Sequence, residues 1–228
     1  MTIVEMDNND TFDLLFKNSK NNGDAKRKSV FVDVGGYDGD TVKTALEYNP
    51  NFRVITIEPI KSLCEIMKQK FLSNKNIIVV NKAVWSCKCN IFFNEYDGGF
   101  KGLSTLQPIM TQLRPEKRFA HILKYDVEAN TLDNVLSELG IDTIDYLKID
   151  TEGSEEQVLT GFTKYNNNTR FHIEHHVTNL SNIIQKLLEM NADIEKITTF
   201  RDGNIREQVV GAIVGKFTRQ SHPEIIIR

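Results

Sequence analysis

From Ser29 onward, short runs rich in valine and isoleucine alternate with longer segments whose apolar residues recur at helical spacing. A short apolar run bounded by turn residues reads as a buried strand, and a three-to-four-residue repeat reads as one face of a helix. The pattern predicts a strand over Val30–Val34, a helix over Thr41–Tyr48 stopped by Asn49-Pro50, and a second strand over Arg53–Glu58. Proline closes that helix because it has no amide hydrogen and its ring clashes with the preceding turn. A helix over Ile60–Leu72 follows, with Leu63, Met67 and Phe71 on its core face, then a strand over Ile77–Asn81. After an interruption the alternation resumes with helix Leu132–Leu139, strand Ile144–Asp150, helix Glu155–Phe162, strand Arg170–His175 and helix Leu180–Met190. Strands alternating with helices in this way build a parallel sheet with helices on both faces, the α/β class.

Three stretches depart from the alternation. Residues 82–130 hold one predicted strand, Ile91–Asn94, a glycine loop over Gly98–Gly102 and polar sequence past Pro108 and Pro115. Long irregular segments tend to carry function, and 85–130 is read as an acceptor-side insert. Residues 1–28 are acidic, then rich in asparagine and lysine, with one apolar cluster at Phe12, Leu14, Leu15 and Phe16; they read as a short helix on a mobile arm. Near the other end, Ile194–Phe200 and Glu207–Phe217 flank Arg201-Asp202-Gly203-Asn204, and Asp-Gly between β-prone runs predicts an antiparallel hairpin finishing the sheet. One domain over 29–228 fits the length, since 228 residues divided in two would leave each half a small core.

Composition narrows the function. Net charge is −3 and no segment concentrates basic residues, which argues against a nucleic-acid substrate. The N-terminus has neither a basic segment nor an apolar one, and no run is long enough to span a bilayer, so a cytoplasmic protein without a membrane partner is expected. Three cysteines, Cys64, Cys87 and Cys89, without a CxxC pair suggest a reducing compartment, and Cys87 and Cys89 read as inert thiols alternating on a strand.

Chemistry gathers at the end of the first strand, where open α/β sheets bind ligands. The turn reads Asp33-Val34-Gly35-Gly36-Tyr37-Asp38-Gly39-Asp40-Thr41. Counted as GxGxxG from Gly35, it puts Tyr37 and Asp40 where glycines belong, and Asp33, Asp38 and Asp40 would repel a pyrophosphate. A nicotinamide dinucleotide, and with it an oxidoreductase, therefore ranks last. Three carboxylates suit a cationic nucleoside such as S-adenosylmethionine, with Asp33 as the foremost contact. Glu58 ends the second strand, where a carboxylate accepts both ribose hydroxyls.

With these residues in view, the chain resembles the FkbM family of Rossmann-like, S-adenosylmethionine-dependent methyltransferases. The resemblance rests on Phe31–Thr41, on Thr56-Ile57-Glu58-Pro59, and on Tyr146-Leu147-Lys148-Ile149-Asp150-Thr151-Glu152-Gly153-Ser154-Glu155, with Asn81–Val84 as a weaker fourth block. It implies a seven-stranded sheet, S-adenosylmethionine as cofactor, and methylation of a hydroxyl on a sugar, glycan or other small molecule. By position it implies Asp33, Gly35 and Asp38 at the methionine end, Glu58 at the ribose and Ala83 at the adenine wall, with Lys82 and Val84 as neighbours; Gly36, Tyr37, Thr41, Pro59 and Asp150 complete the expected cofactor-binding set.

Asp150 and Glu152 leave their strand beside that turn, where either serves as general base or orients the acceptor; Asp150 is the first choice. The plainer reading is that Asp150 caps the next helix and Glu152 complements its dipole. Glu174 and His175, at the end of the following strand, are secondary catalytic candidates, set against simple solvated ends. The His172-Ile173-Glu174-His175-His176 spacing matches no standard metal motif, so no metal is assigned. The loop Gly99–Thr105 is a candidate lid, with Ser104 or Thr105 hydrogen-bonding the cofactor's methionine carboxylate, set against the plainer reading of an ordinary surface loop. N-methylation and a non-catalytic nucleoside-binding protein stand as alternatives.

Overall fold

The computed structural model describes residues 8–17, 19, 28–96, 122–176, 179–201 and 209–218. Its main sheet runs β3–β2–β1–β7–β8–β11, with β9 and β10 on the far side of β11. The strands are β1 (Val30–Val34), β2 (Arg53–Ile57), β3 (Ile77–Val80), β7 (Ile144–Ile149), β8 (Tyr165–His176), β9 (Ala192–Ile197), β10 (Phe200–Arg201) and β11 (Val209–Phe217). β1, β2, β3, β7 and β8 are parallel, whereas β11 runs antiparallel to β8, β9 and β10. The expected seven-stranded, mostly parallel sheet closed by antiparallel strands is present as the path β10–β11–β8–β7–β1–β2–β3, with β9 beside β11 as an eighth strand. The Asp202-Gly203 turn lies outside the described residues.

A second sheet sits over the end of the first: β4 (Ala83–Val84), β6 (Ile122–Asn130) and β5 (Cys89–Tyr96), in that order. β5 and β6 pair antiparallel from Cys89↔Ala129 to Tyr96↔Ile122. The sequence reading caught only the middle of β5 and passed over β6. Phe93, with Tyr125 and Val127 packed beside it, joins Ile60 and Leu63 in a small apolar cluster that ties this sheet to α3 (Lys61–Lys70).

β1 is buried at every position because helices cover both faces. On one face, α4 (Leu132–Glu138), α5 (Glu155–Thr160) and α6 (Leu180–Glu189) supply Leu132, Leu136, Val158, Leu159, Ile183 and Leu187 against Val32, Ile55, Leu147 and Ile173. On the other, α1 (Asn8–Leu15) and α2 (Asp40–Tyr48) cover Phe31, Val54 and Tyr146. The N-terminal helix, read from sequence as carried on a mobile arm, is thus packed on the sheet. Leu15 and Phe16 are buried, and the Phe16 ring lies 5.1–5.7 Å from those of Phe31, Tyr48, Phe52 and Tyr146. Arg170 on β8 fixes it further by donating from Nε to the carbonyls of Leu14 and Leu15. Among the described residues, no helix is long and apolar enough to cross a membrane.

The chain builds β1, β2 and β3 outward and then returns to lay β7 on the opposite side of β1. At that reversal the loops after β1 and β7 diverge and leave a crevice, the usual place for a ligand in such sheets.

Candidate active site

The crevice holds a cleft enclosing about 580 Å³ including its open mouth. Its floor is Val34, Gly35 and Ile57; Tyr37, Glu58 and Pro59 form one flank, and Asp150, Thr151 and Glu152 the other. Ile60, Lys82, Ala83, Val84 and Phe93 close the far end. One end is therefore largely apolar and the other carries two carboxylates.

Gly35 makes the floor possible. Its φ is +87°, and a Cβ there would lie 1.7 Å from the backbone oxygen of Asp150. The amides of Gly35 and Gly36 both donate to Ile57 O, while Asp150 N donates to Val34 O, so the turn passes directly over the end of β7. Tyr37 adopts a left-handed backbone itself, with φ 46°, at some cost for a residue bearing a Cβ. Its amide is thereby aimed at Glu58, donating to Oε2 at 3.0 Å.

Glu58 is 6 % exposed and accepts a second backbone bond from Ile60 N at 2.8 Å. Burial pushes its pKa up to about 7, against the pull of those two amides, with the charges of Asp33 and Asp150 adding to the rise. Its carboxylate thus has a fixed orientation at the cleft wall.

Beneath the floor, Thr56, Asp33, Lys148 and His172 form one transverse row on β2, β1, β7 and β8, on the face covered by α1 and α2. Asp33 is fully buried; Thr56 Oγ1 donates to its Oδ2 at 3.2 Å, and its Oδ1 has no hydrogen-bond partner among the described residues. Burial raises Asp33 to about 6, although Lys148 lowers it. The buried Lys148 ammonium donates to Asp150 Oδ2 at 2.9 Å and lies 3.9 Å from Asp33 Oδ1. Burial alone would favour its neutral form, but Asp150, Asp33 and Glu174 reverse this and its pKa is raised. His172 ends the row, buried against Thr11 Oγ1 and stacked on Phe12; burial and the Lys148 charge lower its pKa to about 3, so it is neutral.

The turn after β7 is held from behind. Glu155 Oε1 accepts from Thr151 N, Thr151 Oγ1 and Gly153 N at 3.0–3.2 Å, and Asn179 Nδ2 donates to Oε2. Glu152 and Gly153 take consecutive left-handed conformations there. Asp150 is thus an ion-pair partner of Lys148, and Glu155, at the start of α5, bonds back to the loop that precedes the helix.

The FkbM methyltransferase domain model matches residues 33–198, most of the chain. The chain belongs to the FkbM methyltransferase family. The methyltransferase cofactor is S-adenosylmethionine, as the three sequence blocks implied. No curated protein sequence matches the chain. Among solved structures, the fibrillarin pre-rRNA processing protein of Methanococcus jannaschii shares the fold, with TM-score 0.51 and 10% identity over 86% of this chain and 69% of that one. A precorrin-6y C5,15-methyltransferase from Geobacter metallireducens aligns with TM-score 0.49 and 11% identity, over 84% of this chain and 81% of that one. A SAM-dependent O-methyltransferase from Thermotoga maritima aligns with TM-score 0.49 and 10% identity, over 96% and 69%.

Of the residues singled out in this FkbM-family chain, Gly35, Tyr37, Glu58, Pro59, Ala83, Asp150 and Glu152 come together around the cleft. Asp33 lies one layer below. Gly36 packs against Thr56 and Met67, and the Asp38 carboxylate accepts from Asp40 N to start α2, near Thr41; these three do not line the cleft. Glu174 shares the face of Lys148, while His175 points to the opposite face, where Nε2 meets Thr198 O at 2.9 Å; neither lines the cleft. Ser104 and Thr105 lie outside the described residues. Sequence reasoning missed Lys148 and Glu155. A lysine in the strand run Ile144–Ile149 needs a carboxylate beside it, and that was the available signal for the first.

Proposed function

We propose that this FkbM-family methyltransferase transfers the methyl group of S-adenosylmethionine to a hydroxyl of a sugar or other small molecule, with Asp150 taking the hydroxyl proton. The supporting observation is the gradation of the cleft, from an apolar end through Glu58 to the carboxylates of Asp150 and Glu152. The residues present fit the cofactor. The pocket of Ile60, Ala83, Val84 and Phe93 suits a purine, and the anchored Glu58 carboxylate suits a vicinal diol. Asp150, Glu152 and the buried Asp33, whose Oδ1 has no donor among the described residues, outweigh the single Lys148 charge and suit a cationic amino-acid end.

When bound, S-adenosylmethionine supplies a methyl group on a sulfonium, an electrophile with a good leaving group, so holding the acceptor in line is most of the task. The chain supplies that order. Lys148 and the Glu155 bonds fix the backbone and carboxylate of Asp150, which is 25% exposed and faces the cleft. A fixed carboxylate there orients an incoming O–H and accepts its proton as the oxygen becomes a nucleophile.

The test pairs calorimetry with methyl transfer. Wild type should bind S-adenosylmethionine and its demethylated product, with Glu58→Ala losing both. A panel of sugars, polyols and amines offered with methyl-labelled cofactor should label hydroxyls only. Asp150→Asn should weaken cofactor binding and still lose turnover when the cofactor is raised to saturation. Labelling of amines alone would replace the hydroxyl reading with N-methylation, and binding without turnover on any acceptor would favour a non-catalytic nucleoside-binding protein.

A further inference from the structure

Cys87 and Cys89 are not independent thiols. Cys87 lies in the bend between β4 and β5, Cys89 opens β5, and their sulfurs are 3.4 Å apart, with Cys89 Sγ also 3.6 Å from Cys87 O. Cys87 is exposed and Cys89 half-buried, so both are open to a small reagent. The third thiol is a contrast: Cys64 is buried, donates to Glu58 O at 3.1 Å, and has its pKa pushed up to about 12 by burial and the Glu58 charge. The bend is also short-coupled to the cleft. Ala83 and Val84 on its near side and Phe93 on its far side all line it, and Trp85 N is tied to Asn130 O.

We propose that Cys87 and Cys89 form an oxidisable dithiol, which a peroxide converts to an intrachain disulfide that tightens the bend between two walls of the cleft. In the first step one thiol gives up its proton and attacks a peroxide oxygen, the O–O bond breaks, and the leaving hydroxide takes up that proton and departs as water, giving a sulfenic acid. The second thiol then attacks that sulfur, the S–O bond breaks, and a second water leaves. The two thiols together lose two electrons and two protons, and one peroxide becomes two waters. The sulfurs must close from 3.4 Å to a bond of about 2.05 Å. Side-chain rotation supplies part of this and the bend the rest, which shifts the strands on either side. Exposed disulfides in small rings are readily reduced, so the change is reversible by a dithiol. The effect on the cleft rests on the cofactor assignment above; formation of the disulfide does not.

The test uses the full chain, treated with stoichiometric hydrogen peroxide, alkylated after unfolding and digested with trypsin. Cleavage after Lys88 separates the two cysteines, so oxidation should join the peptides 83–88 and 89–101 into one species that dithiothreitol splits. Cys64 should remain alkylatable. Cys87→Ser should give no linked species. Thiols that survive peroxide, sulfinic acids without a link, or a link between two chains would each overturn the dithiol. In the second arm, oxidation should weaken S-adenosylmethionine binding by about fivefold, reversibly and only with both cysteines present. Equal affinity of both forms would overturn the coupling to the cleft. A reduced chain that binds no cofactor would overturn the cofactor assignment instead, leaving the linked peptides to decide the dithiol.

Discussion

Replacing Lys148 by methionine is the sharpest probe of how the site is held. The side chain is 4% exposed and Asp33 beside it is fully buried, so the substitution keeps most of the volume and removes the charge that allows Asp33 to ionise. Breaking a buried pair by deleting one partner costs about 3–5 kcal/mol, because the survivor is an uncompensated buried charge. The cost depends on pH in a defined direction. Asp33 already has its pKa raised from 3.8 to about 6, so its contribution to stability is complete below its unfolded value and is lost as pH rises through the folded one. Without Lys148 the folded pKa climbs further, and each additional unit costs about 1.4 kcal/mol at pH 8. At pH 5 the carboxyl is mostly protonated in both proteins and the penalty should fall to about 1 kcal/mol or less. Urea denaturation is the assay; with a slope of about 3 kcal/mol/M the midpoint should drop by about 1–1.7 M at pH 8. Asp33→Asn should recover much of that loss in the double variant, as a double-mutant cycle would show. An equal loss at both pH values, or strict additivity of the two substitutions, would refute the buried pair as the reason for the lysine.

Glu58 has its pKa raised to about 7, so cofactor affinity measured by calorimetry should rise between pH 6 and 8 as the carboxylate ionises, then level off. Glu58→Gln should lose about 10–100-fold in affinity and the pH dependence with it. Gly35→Ala, which drives a Cβ into Asp150 O at φ +87°, should cost more than about 4 kcal/mol or prevent folding, read by circular dichroism melts. Phe16→Ala should cost about 3–5 kcal/mol in the same melts, because its ring fills the core beneath α1 and α2; an unchanged melting point would mean that α1 does not dock.

The legible parts were those in which one element covers a run of apolar residues. The range predicted for β1 coincides with the observed strand, since both faces are buried and the run is continuous. β6 was missed although its pattern is plain: Leu123, Tyr125, Val127 and Ala129 alternate with Lys124, Asp126 and Glu128. A search for strands linked by helices does not expect an antiparallel ribbon laid over the end of the sheet. β8 reaches back through Asn166-Asn167-Asn168, a run that reads as a turn, and Asn168 does have φ 77° there, beside a register shift against β7. The His172–His176 cluster misled for a related reason. Alternate residues of a strand face opposite ways, so β8 sends His172 and Glu174 to the Lys148 face and His175 into the other core.

The same distinction separates the two halves of the site. The proposed cofactor side is written into backbone requirements: a glycine where no Cβ fits, an amide of Tyr37 aimed at Glu58, and a carboxylate at a strand end. Such requirements restrict residue type strongly and leave short motifs that a single sequence displays. The acceptor side is a matter of side-chain shape, which many sequences satisfy and none advertises. The pairing of β5 with β6 runs from Cys89 to Tyr96 along the ribbon that carries Phe93 to the cleft. Exchange of residues 97–121 between FkbM-family chains should move acceptor preference while leaving cofactor affinity in place, because among the described residues Glu58 is held by Tyr37 and Ile60 and Lys148 by Asp33 and Asp150. If the exchange abolished cofactor binding as well, the two halves would share a pocket wall, and the division argued from Gly35, Glu58 and Lys148 would fail.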